Sequence, residues 1–238
     1  MPAPIFVYTI VTEISEDTIM YILIPACLCI AALFVYQECQ GRFGLSVILK
    51  GIASLCFVLL GFLASRHSPG STAILTGLFL GAIADVLLNL RFVYPETGKK
   101  TFLAGILVFL CGHIAYLAAI LPMNPQPWTA LFGGCLLTLV LMKWILPKIT
   151  AERTLKIFGV VYIGAIAILT CAAVVNLTAS FSAFHLLFTA GAVLFLVSDI
   201  VLILNTFGPQ YRFPMRITNL SLYYFGQILI ALSLGHLQ

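Results

Sequence analysis

The chain has 238 residues; 62% of them are hydrophobic, only 8% are charged, and the formal net charge is +4. Water-soluble domains contain about a quarter charged residues, so this composition excludes a soluble globular domain and predicts an integral membrane protein. Nucleic acid is not an expected partner, because the basic residues lie at one side of the predicted spans.

Eight apolar stretches are long enough to cross a bilayer, since a transmembrane helix needs about 20 residues. They predict an all-α fold in which residues 1–238 form one polytopic membrane domain. Residues 1–17 lack the basic region of a cleaved signal, and we expect them to belong to the mature protein. The predicted spans are 20–36, 45–64, 72–91, 101–121, 127–146, 154–174, 183–205 and 217–236.

Basic residues follow the odd-numbered spans, whereas Arg66 lies in an even-numbered loop. By the positive-inside rule the odd loops face the cytoplasm, and both termini lie outside it. The expected location is a bacterial cytoplasmic (inner) membrane. The basic residues on the odd side are Arg42, Lys50, Arg91, Lys99, Lys100, Lys143, Lys148, Arg153, Lys156, Arg212 and Arg216.

No metal site or cofactor is predicted. The seven cysteines form no CxxC motif, and six of them lie inside spans, where Cys packs as a small apolar residue. His67, His185 and His236 are predicted on the outer side, so three ligands do not converge as zinc requires. The sequence also has no GxSxG elbow and no Walker-type loop.

Two segments resemble each other: GLFLGAIADVLLNL (77–90) and GAVLFLVSDIVLIL (191–204). Each has Gly eight residues before an Asp, and the offset between them is 114 residues. The Asp residues concerned are Asp85 and Asp199. The similarity predicts an internal duplication that places both carboxyl groups at a similar depth.

A second match supports the duplication, because His113 and Gln227 each follow the Asp of their half by 28 residues. The predicted repeats are residues 18–122 and 123–238, with four spans each. Because four is an even number, the repeats are parallel and related by an axis along the membrane normal.

Polar residues recur at helical spacing on three spans. One interpretation is packing along small residues with a tolerated carboxyl group. However, inserting an intramembrane carboxyl costs at least ~2.5 kcal/mol, and such groups usually mark a functional site. The sets are Gly77, Gly81, Asp85 and Asn89 on span three, His113 and Tyr116 on span four, and Asn219, Tyr223 and Gln227 on span eight.

Both aspartates are predicted near the cytoplasmic leaflet. Asp85 precedes Arg91 by six residues, which is roughly 9 Å along a helix. The cations nearby suit a lipid phosphate, although Lys and Arg at span ends also mark topology and extend towards the headgroups. The cations are Arg91, Lys99, Lys100, Arg212 and Arg216.

Four segments in order resemble the YhhN-like membrane proteins, a family that includes the lysoplasmalogenases: GLFLGAIADVLL, FLAGILVFLCGHIAY, GAVLFLVSDIVLILNTF and LYYFGQILIALS. With Lys50, the resemblance covers about residues 49–233. It implies hydrolysis of the vinyl ether of a lysophospholipid, the lysoplasmalogen, to a fatty aldehyde and a glycerophospho-ethanolamine or -choline. Membrane lipids are the other expected partners.

The resemblance implies Asp85 and Asp199 as catalytic residues. Two positions depart from the family pattern: Ala84 replaces Gly before the first Asp, and Gly51 replaces Pro after Lys50. Neither departure removes a reactive group. Together with Asn89 from span three, the candidate substrate-binding residues are Lys50, Asn89, His113, Tyr116, Asn205, Tyr223, Tyr224 and Gln227.

Vinyl ether hydrolysis begins with protonation of the β-carbon, which yields an oxocarbenium ion that water captures. Glycosidases meet the same oxocarbenium problem with two carboxyl groups, one protonated and one ionised. We therefore expect one Asp to be the general acid and the other to stabilise the cation or activate water. The sequence assigns neither role to a particular residue.

Two other functions fit the same features. A proton-coupled transporter also uses intramembrane acids and parallel repeats. A non-catalytic lipid-binding or scaffold protein is the third possibility. Only the enzyme releases an aldehyde from lysoplasmalogen.

Overall fold

The computed structural model describes residues 3–66 and 68–237, with side chains from residue 18 onward apart from Pro69. Within these residues the structure is all-helical, with short 3-10 turns at several helix ends and no strand. The helices are α1 Ala3–Cys39, α2 Phe43–Ala64, α3 Thr72–Val93, α4 Gly98–Ile120, α5 Pro127–Ile145, α6 Arg153–Ala179, α7 Ala183–Phe207 and α8 Phe213–Ser233.

Eight helices among the described residues are long and apolar enough to cross a membrane, which confirms the eight predicted spans and an integral membrane protein. The main difference lies in α1, which begins at Ala3, whereas the first span was predicted from residue 20. Pro4 lies in the first helical turn, where backbone N–H groups have no acceptor within the helix, so the missing N–H of proline costs no hydrogen bond. Among the residues whose side chains are described, the candidate membrane span in α1 is Thr18–Cys39.

The most extensive helix contacts are those of α3 with α4 and of α7 with α8. Glycines let these backbones approach. A Cβ atom at Gly112 would lie 3.3 Å from the carbonyl oxygen of Gly77, and one at Gly226 would lie 2.9 Å from that of Gly191. Larger side chains at these positions would force the helices apart.

Contacts between the first four helices and the last four are made chiefly by α2 with α8 and by α4 with α6. If each helix is replaced by the one at the equivalent place in the other set of four, α2 becomes α6 and α8 becomes α4, so the first pair corresponds to the second. This arrangement brings α3 and α7, which hold the two intramembrane aspartates, towards the centre of the bundle.

The surface and the interior invert the pattern of a water-soluble protein. Trp128, Phe132 and Leu139 on α5 are 80%, 74% and 68% exposed, whereas Asp85 and Asp199 are 2% and 3% exposed. An apolar exterior is the surface that a lipid bilayer requires. The buried polar residues therefore need partners inside the bundle, and those partners define the site.

Candidate active site

Asp85 on α3 accepts contacts from three buried donors. The ammonium of Lys50 lies 3.0 Å from Oδ1. The hydroxyls of Ser54 and Tyr223 donate to Oδ2 at 2.6 and 2.7 Å. A buried carboxylate that has a cationic partner and two further donors is compensated in its ionised form. Asp85 and Lys50 therefore form an internal ion pair.

Two of the three partners of Asp85, Lys50 and Ser54, lie on helix α2, and their spacing places them on one face. Ser46, Lys50 and Ser54 follow one another at four-residue intervals, so they lie on one face, and all three are buried. This face packs on α3. Lys50 Nζ also donates to Oδ1 of Asn89, one turn beyond Asp85, at 3.2 Å.

The polar network continues towards the ends of the helices. Asn89 Nδ2 donates to Oε2 of Glu38 on α1 at 3.1 Å. The guanidinium of Arg216 on α8 donates to both oxygens of Glu38, at 3.2 Å through Nε and 3.0 Å through Nη2. Asp85 is thus linked through Lys50 and Asn89 to a bidentate ion pair.

In the opposite direction the network runs deeper into the bundle. Tyr116 Oη donates to Gln227 Oε1 at 2.9 Å, and Gln227 Nε2 donates to Tyr223 Oη at 3.4 Å. Gly81 makes room for this amide, since a Cβ atom there would lie 2.8 Å from Gln227 Nε2. Gln227 and Tyr116 therefore orient Tyr223, which contacts Asp85 directly.

Asp199 on α7 has a different environment. The phenol of Tyr162 on α6 donates to its Oδ2 at 2.9 Å. Among the described residues no basic side chain forms an ion pair with Asp199. A buried carboxyl group without a counter-charge costs much more when ionised than when it carries a proton.

His113 lies behind Tyr162 and not beside an aspartate. Its ring centroid is 5.0 Å from that of Tyr162 and 4.9 Å from that of Phe195. Both ring nitrogens are buried and have no hydrogen-bond partner among the residues described. In this structure His113 holds the Tyr162 ring in place by packing.

Asp85 and Asp199 line the same small cavity, which we call the chamber; its polar wall also includes Lys50, Asn89, Ser198 and Tyr223. Its volume is about 30 Å³, which is enough for one water molecule. No group of three or more His, Cys, Asp or Glu that suits a metal ion exists in the described part of the chain. The chamber therefore offers two carboxyl groups, hydroxyls and an ammonium.

Two larger spaces adjoin the chamber. The first, which we call the vestibule, has a volume of about 560 Å³ and shares Arg91, Leu202, Arg216 and Asn219 with the chamber. It is lined by the C-terminal ends of α1, α3 and α7 and the start of α8. Tyr211 in the α7–α8 loop also lines it, and partial desolvation there raises the pKa of the phenol.

The second space is an apolar pocket between α4, α5, α6 and α7. It is lined by Ile106, Met142, Ile145, Leu155, Gly159 and Ile203, among others. Leu88, Phe102, Phe109 and Leu202 line both this pocket and the chamber, so they form the wall between them. Its volume is about 50 Å³, and its lining is almost entirely apolar, as the start of a hydrocarbon chain would require.

The structure brings several of the predicted site residues into the chamber: Asp85, Asp199, Lys50, Asn89 and Tyr223. Tyr116, Gln227 and His113 lie one layer behind. Asn205 instead accepts a hydrogen bond from the backbone N–H of Arg212 at 2.7 Å, at the vestibule wall. Tyr224 packs against Phe34 and Phe57, outside the chamber.

Three residues that contact the site were not predicted from the sequence: Ser54, Tyr162 and Glu38. Ser54 was detectable, because the four-residue spacing used for span three also places it with Lys50. Tyr162 is a lone phenol in an apolar helix and gives no pattern. Glu38 fell beyond the predicted end of span one at residue 36, although α1 continues to Cys39.

Two comparisons with known proteins identify the family of the chain. The model of the YhhN family matches residues 45–234, which include every residue lining the chamber. A lysoplasmalogenase of Bos taurus, TMEM86A, is 30% identical over 200 residues, which cover 79% of this chain and 77% of the relative. No solved structure matches the chain. On the family match and this relative, the chain belongs to the YhhN family.

Proposed function

We propose that the protein is a membrane lysoplasmalogenase. It hydrolyses the vinyl ether of lysoplasmalogens and releases a fatty aldehyde and glycerophospho-ethanolamine or -choline. The observation that supports this most strongly is a chamber with two buried aspartates in unlike environments, joined to an apolar pocket and a charged vestibule. The bovine relative named as a lysoplasmalogenase supports the substrate class.

In the reaction, a proton adds to the vinyl carbon farther from the ether oxygen. This step generates an oxocarbenium ion at the carbon bonded to oxygen. Water adds to that carbon and loses a proton, and the resulting hemiacetal divides into the aldehyde and the glycerol hydroxyl. One water molecule is consumed, and no electron donor or acceptor is needed.

We assign the proton donor to Asp199, because it accepts a hydrogen bond from the Tyr162 phenol and forms no ion pair with any described basic side chain. After donation, its carboxylate accepts the proton that water loses, which restores the acid. Asp85 stays ionised beside Lys50, and its carboxylate faces the oxocarbenium ion as a preorganised negative charge. This division corresponds to the protonated and ionised carboxyls of glycosidases.

The other site residues act through these two. Lys50 and Tyr223 hold the Asp85 carboxylate, and Asn89 holds Lys50. Gln227 and Tyr116 fix Tyr223, and His113 fixes Tyr162. Asn205 shapes the loop at the vestibule, and Tyr224 supports Tyr223 by ring packing at 5.2 Å.

The test uses purified protein and 1-alkenyl-lysophosphatidylethanolamine, with aldehyde release as the readout. The wild type is expected to release aldehyde, and Asp85→Asn and Asp199→Asn are expected to lose most of the turnover. Glu152→Gln is the matched control, because Glu152 is exposed and pairs with Lys99 on the surface. Near-normal turnover in either Asp85→Asn or Asp199→Asn would contradict the two-acid mechanism.

The alternative is proton-coupled transport of a small or lipidic substrate. It is favoured by the polar network that runs from Arg216 through Asp85 to Tyr116. Reconstituted vesicles distinguish the two functions, since a transporter moves protons across the bilayer under a substrate gradient. The enzyme instead releases aldehyde in vesicles without a gradient.

We also propose that the bundle consists of two parallel four-helix repeats, residues about 18–122 and 123–238. The glycine contacts support this, because Gly191 and Gly226 follow Gly77 and Gly112 at the offset of 114 residues. The matching α2–α8 and α4–α6 contacts give further support.

For topology, we propose that both termini lie outside the cytoplasm, in a bacterial inner membrane, with the site towards the cytoplasmic leaflet. The vestibule lies at the same helix ends as the basic loops, which supports that side. A C-terminal fusion to a reporter enzyme that is active only outside the cytoplasm should be active, and an inactive fusion would reverse the orientation.

A further inference from the structure

Of the basic residues on the predicted cytoplasmic side, Lys99 and Arg216 already have anionic partners. Lys99 pairs with Glu152, and Arg216 pairs with both oxygens of Glu38. Arg91, by contrast, forms no ion pair with any described carboxylate. Its Nε is buried and has no hydrogen-bond partner in the part of the chain that the structure describes.

Two aromatic rings fix the position of Arg91. Its guanidinium carbon lies 4.6 Å from the ring centroid of Phe92 and 4.6 Å from that of Phe102. Such contacts hold a guanidinium in position without using its N–H donors. The fork of donors that remains fits the oxygens of a phosphate.

Arg91 also stands where the vestibule meets the chamber, since its side chain lines both. It follows Asp85 by six residues on α3, which is roughly 9 Å along the helix. In a lysoplasmalogen, five single bonds of about 1.5 Å separate the ether oxygen from phosphorus, so the two lie roughly 6 Å apart when extended. A phosphate beside Arg91 leaves the vinyl ether near the two aspartates.

Given the proposed function, we infer that Arg91 is the ligand of the substrate phosphate. Arg91 holds the headgroup in the vestibule, and the chamber, about 30 Å³ without substrate, widens so that the vinyl ether lies between Asp85 and Asp199 and the hydrocarbon chain leads towards the apolar pocket. Arg216 adds positive potential, but its Nε and Nη2 donate to Glu38 and its charge is paired there. The site therefore selects phosphate-bearing vinyl ethers over neutral 1-alkenylglycerol.

The test compares two substrates, 1-alkenyl-lysophosphatidylethanolamine and 1-alkenylglycerol, in wild type and in Arg91→Gln. We expect kcat/KM for the phospholipid to fall about 10- to 100-fold in the variant, chiefly through KM, as for the loss of a charged hydrogen bond. The neutral substrate should be hydrolysed as well by the variant as by wild type. Arg91→Lys should recover part of the loss.

Arg42→Gln is the matched control, because Arg42 is an exposed cation on the same side and does not line the vestibule. An equal loss with both substrates in Arg91→Gln, or no loss with either, would overturn the inference. Thermal unfolding of Arg91→Gln and Arg91→Lys identifies a variant that fails to fold. If Arg91→Gln does not fold, the same comparison of substrates in Arg91→Lys decides the role of Arg91.

A binding measurement separates this inference from the proposed function. Lysophosphatidylethanolamine contains the phosphate and no vinyl ether, so its binding does not depend on catalysis. Wild type should bind it at least 10-fold more tightly than Arg91→Gln does. Inorganic phosphate is the second probe: competition by it indicates that phosphate alone is recognised, and equal lipid binding by both proteins contradicts the role of Arg91.

Discussion

The surroundings of Asp85 and Asp199 differ although the two residues occupy matching positions in the chain. At the offset of 114 residues, Lys50 corresponds to Gly164, Ser54 to Ile168, and Tyr223 to Phe109. All three donors of Asp85 are therefore replaced by residues without a side-chain donor. The close approaches of Gly112 to Gly77 and of Gly226 to Gly191 also lie at this offset, so these backbone contacts correspond while the residues around the two aspartates differ.

This difference is the basis of the unequal roles that we propose for two chemically identical side chains. Asp85 has a cation and two hydroxyls, whereas Asp199 has one phenol from Tyr162, whose counterpart in the first half is Ile48. The cationic partner Lys50 thus compensates Asp85 alone. Asp199 forms no ion pair with a described basic side chain and remains the carboxyl group better suited to carry a proton.

Removal of the proposed acid gives the largest expected effect. Asp199→Asn should lower aldehyde release by about 10²- to 10⁴-fold, the usual contribution of a general acid. Its thermal stability should stay close to wild type, because no ion pair is broken. A fall in stability with retained turnover would show that Asp199 is structural, and Glu152→Gln controls for loss of a carboxylate.

Loss of the Lys50–Asp85 ion pair should instead lower the stability of the fold. Lys50→Met leaves the buried Asp85 carboxylate without its cation, which should cost about 3–5 kcal/mol of unfolding free energy. The double variant Lys50→Met/Asp85→Asn should regain most of that loss, since no unpaired charge is left. Thermal or denaturant unfolding of the two variants in the same detergent measures the difference, and additive losses would contradict the pairing.

The two phenols allow a matched comparison of the carboxyl groups. Tyr162→Phe and Tyr223→Phe each remove the phenol hydroxyl that donates to an aspartate. Each should therefore lower kcat about 2- to 10-fold, the effect of losing one hydrogen bond. Because the phenyl rings still fill the space, stability should change little. Unchanged turnover in Tyr162→Phe would mean that the Tyr162 hydroxyl does not orient the acid.

The smallest effect is expected at His113. Its nitrogens have no partner among the described residues, so His113→Leu loses only ring packing against Tyr162, worth ~0.5 kcal/mol or about a twofold lower kcat. Steady-state kinetics of His113→Leu and Tyr162→Phe, measured side by side, check that the loss of kcat is smaller in His113→Leu. A loss larger than that of Tyr162→Phe would assign His113 a direct contact with substrate or water.

Much of the fold could be predicted because long apolar runs separated by charged or proline-containing loops give the strongest signal in a membrane protein. The beginning of α1 was missed, since helix can continue beyond the apolar run that predicts a span. In the site, Asp85 was predicted from the cost of inserting its carboxyl group and Tyr223 from helical spacing, whereas Lys50 was predicted only from the family resemblance. Tyr162 was not, because a single phenol in an apolar helix resembles ordinary packing.

The roles proposed for the two aspartates could not be predicted from the sequence, for a physical reason. They depend on which residues of α2, α6 and α8 face each carboxyl group, and helix spacing alone does not give rotations between helices. Lys50, for example, precedes Asp85 by 35 residues. Only the packing of α2 on α3 shows that its ammonium reaches Asp85 and not a lipid headgroup.

Protonation of a vinyl carbon by Asp199 is the step on which the proposed mechanism depends, and hydrolysis in D₂O tests it most directly. Purified protein is given 1-alkenyl-lysophosphatidylethanolamine in D₂O, and the aldehyde is reduced at once and analysed by mass spectrometry. We expect one deuterium on the carbon next to the aldehyde carbon, and little product from Asp199→Asn. Aldehyde without deuterium at that carbon, or full turnover by Asp199→Asn, would contradict the mechanism.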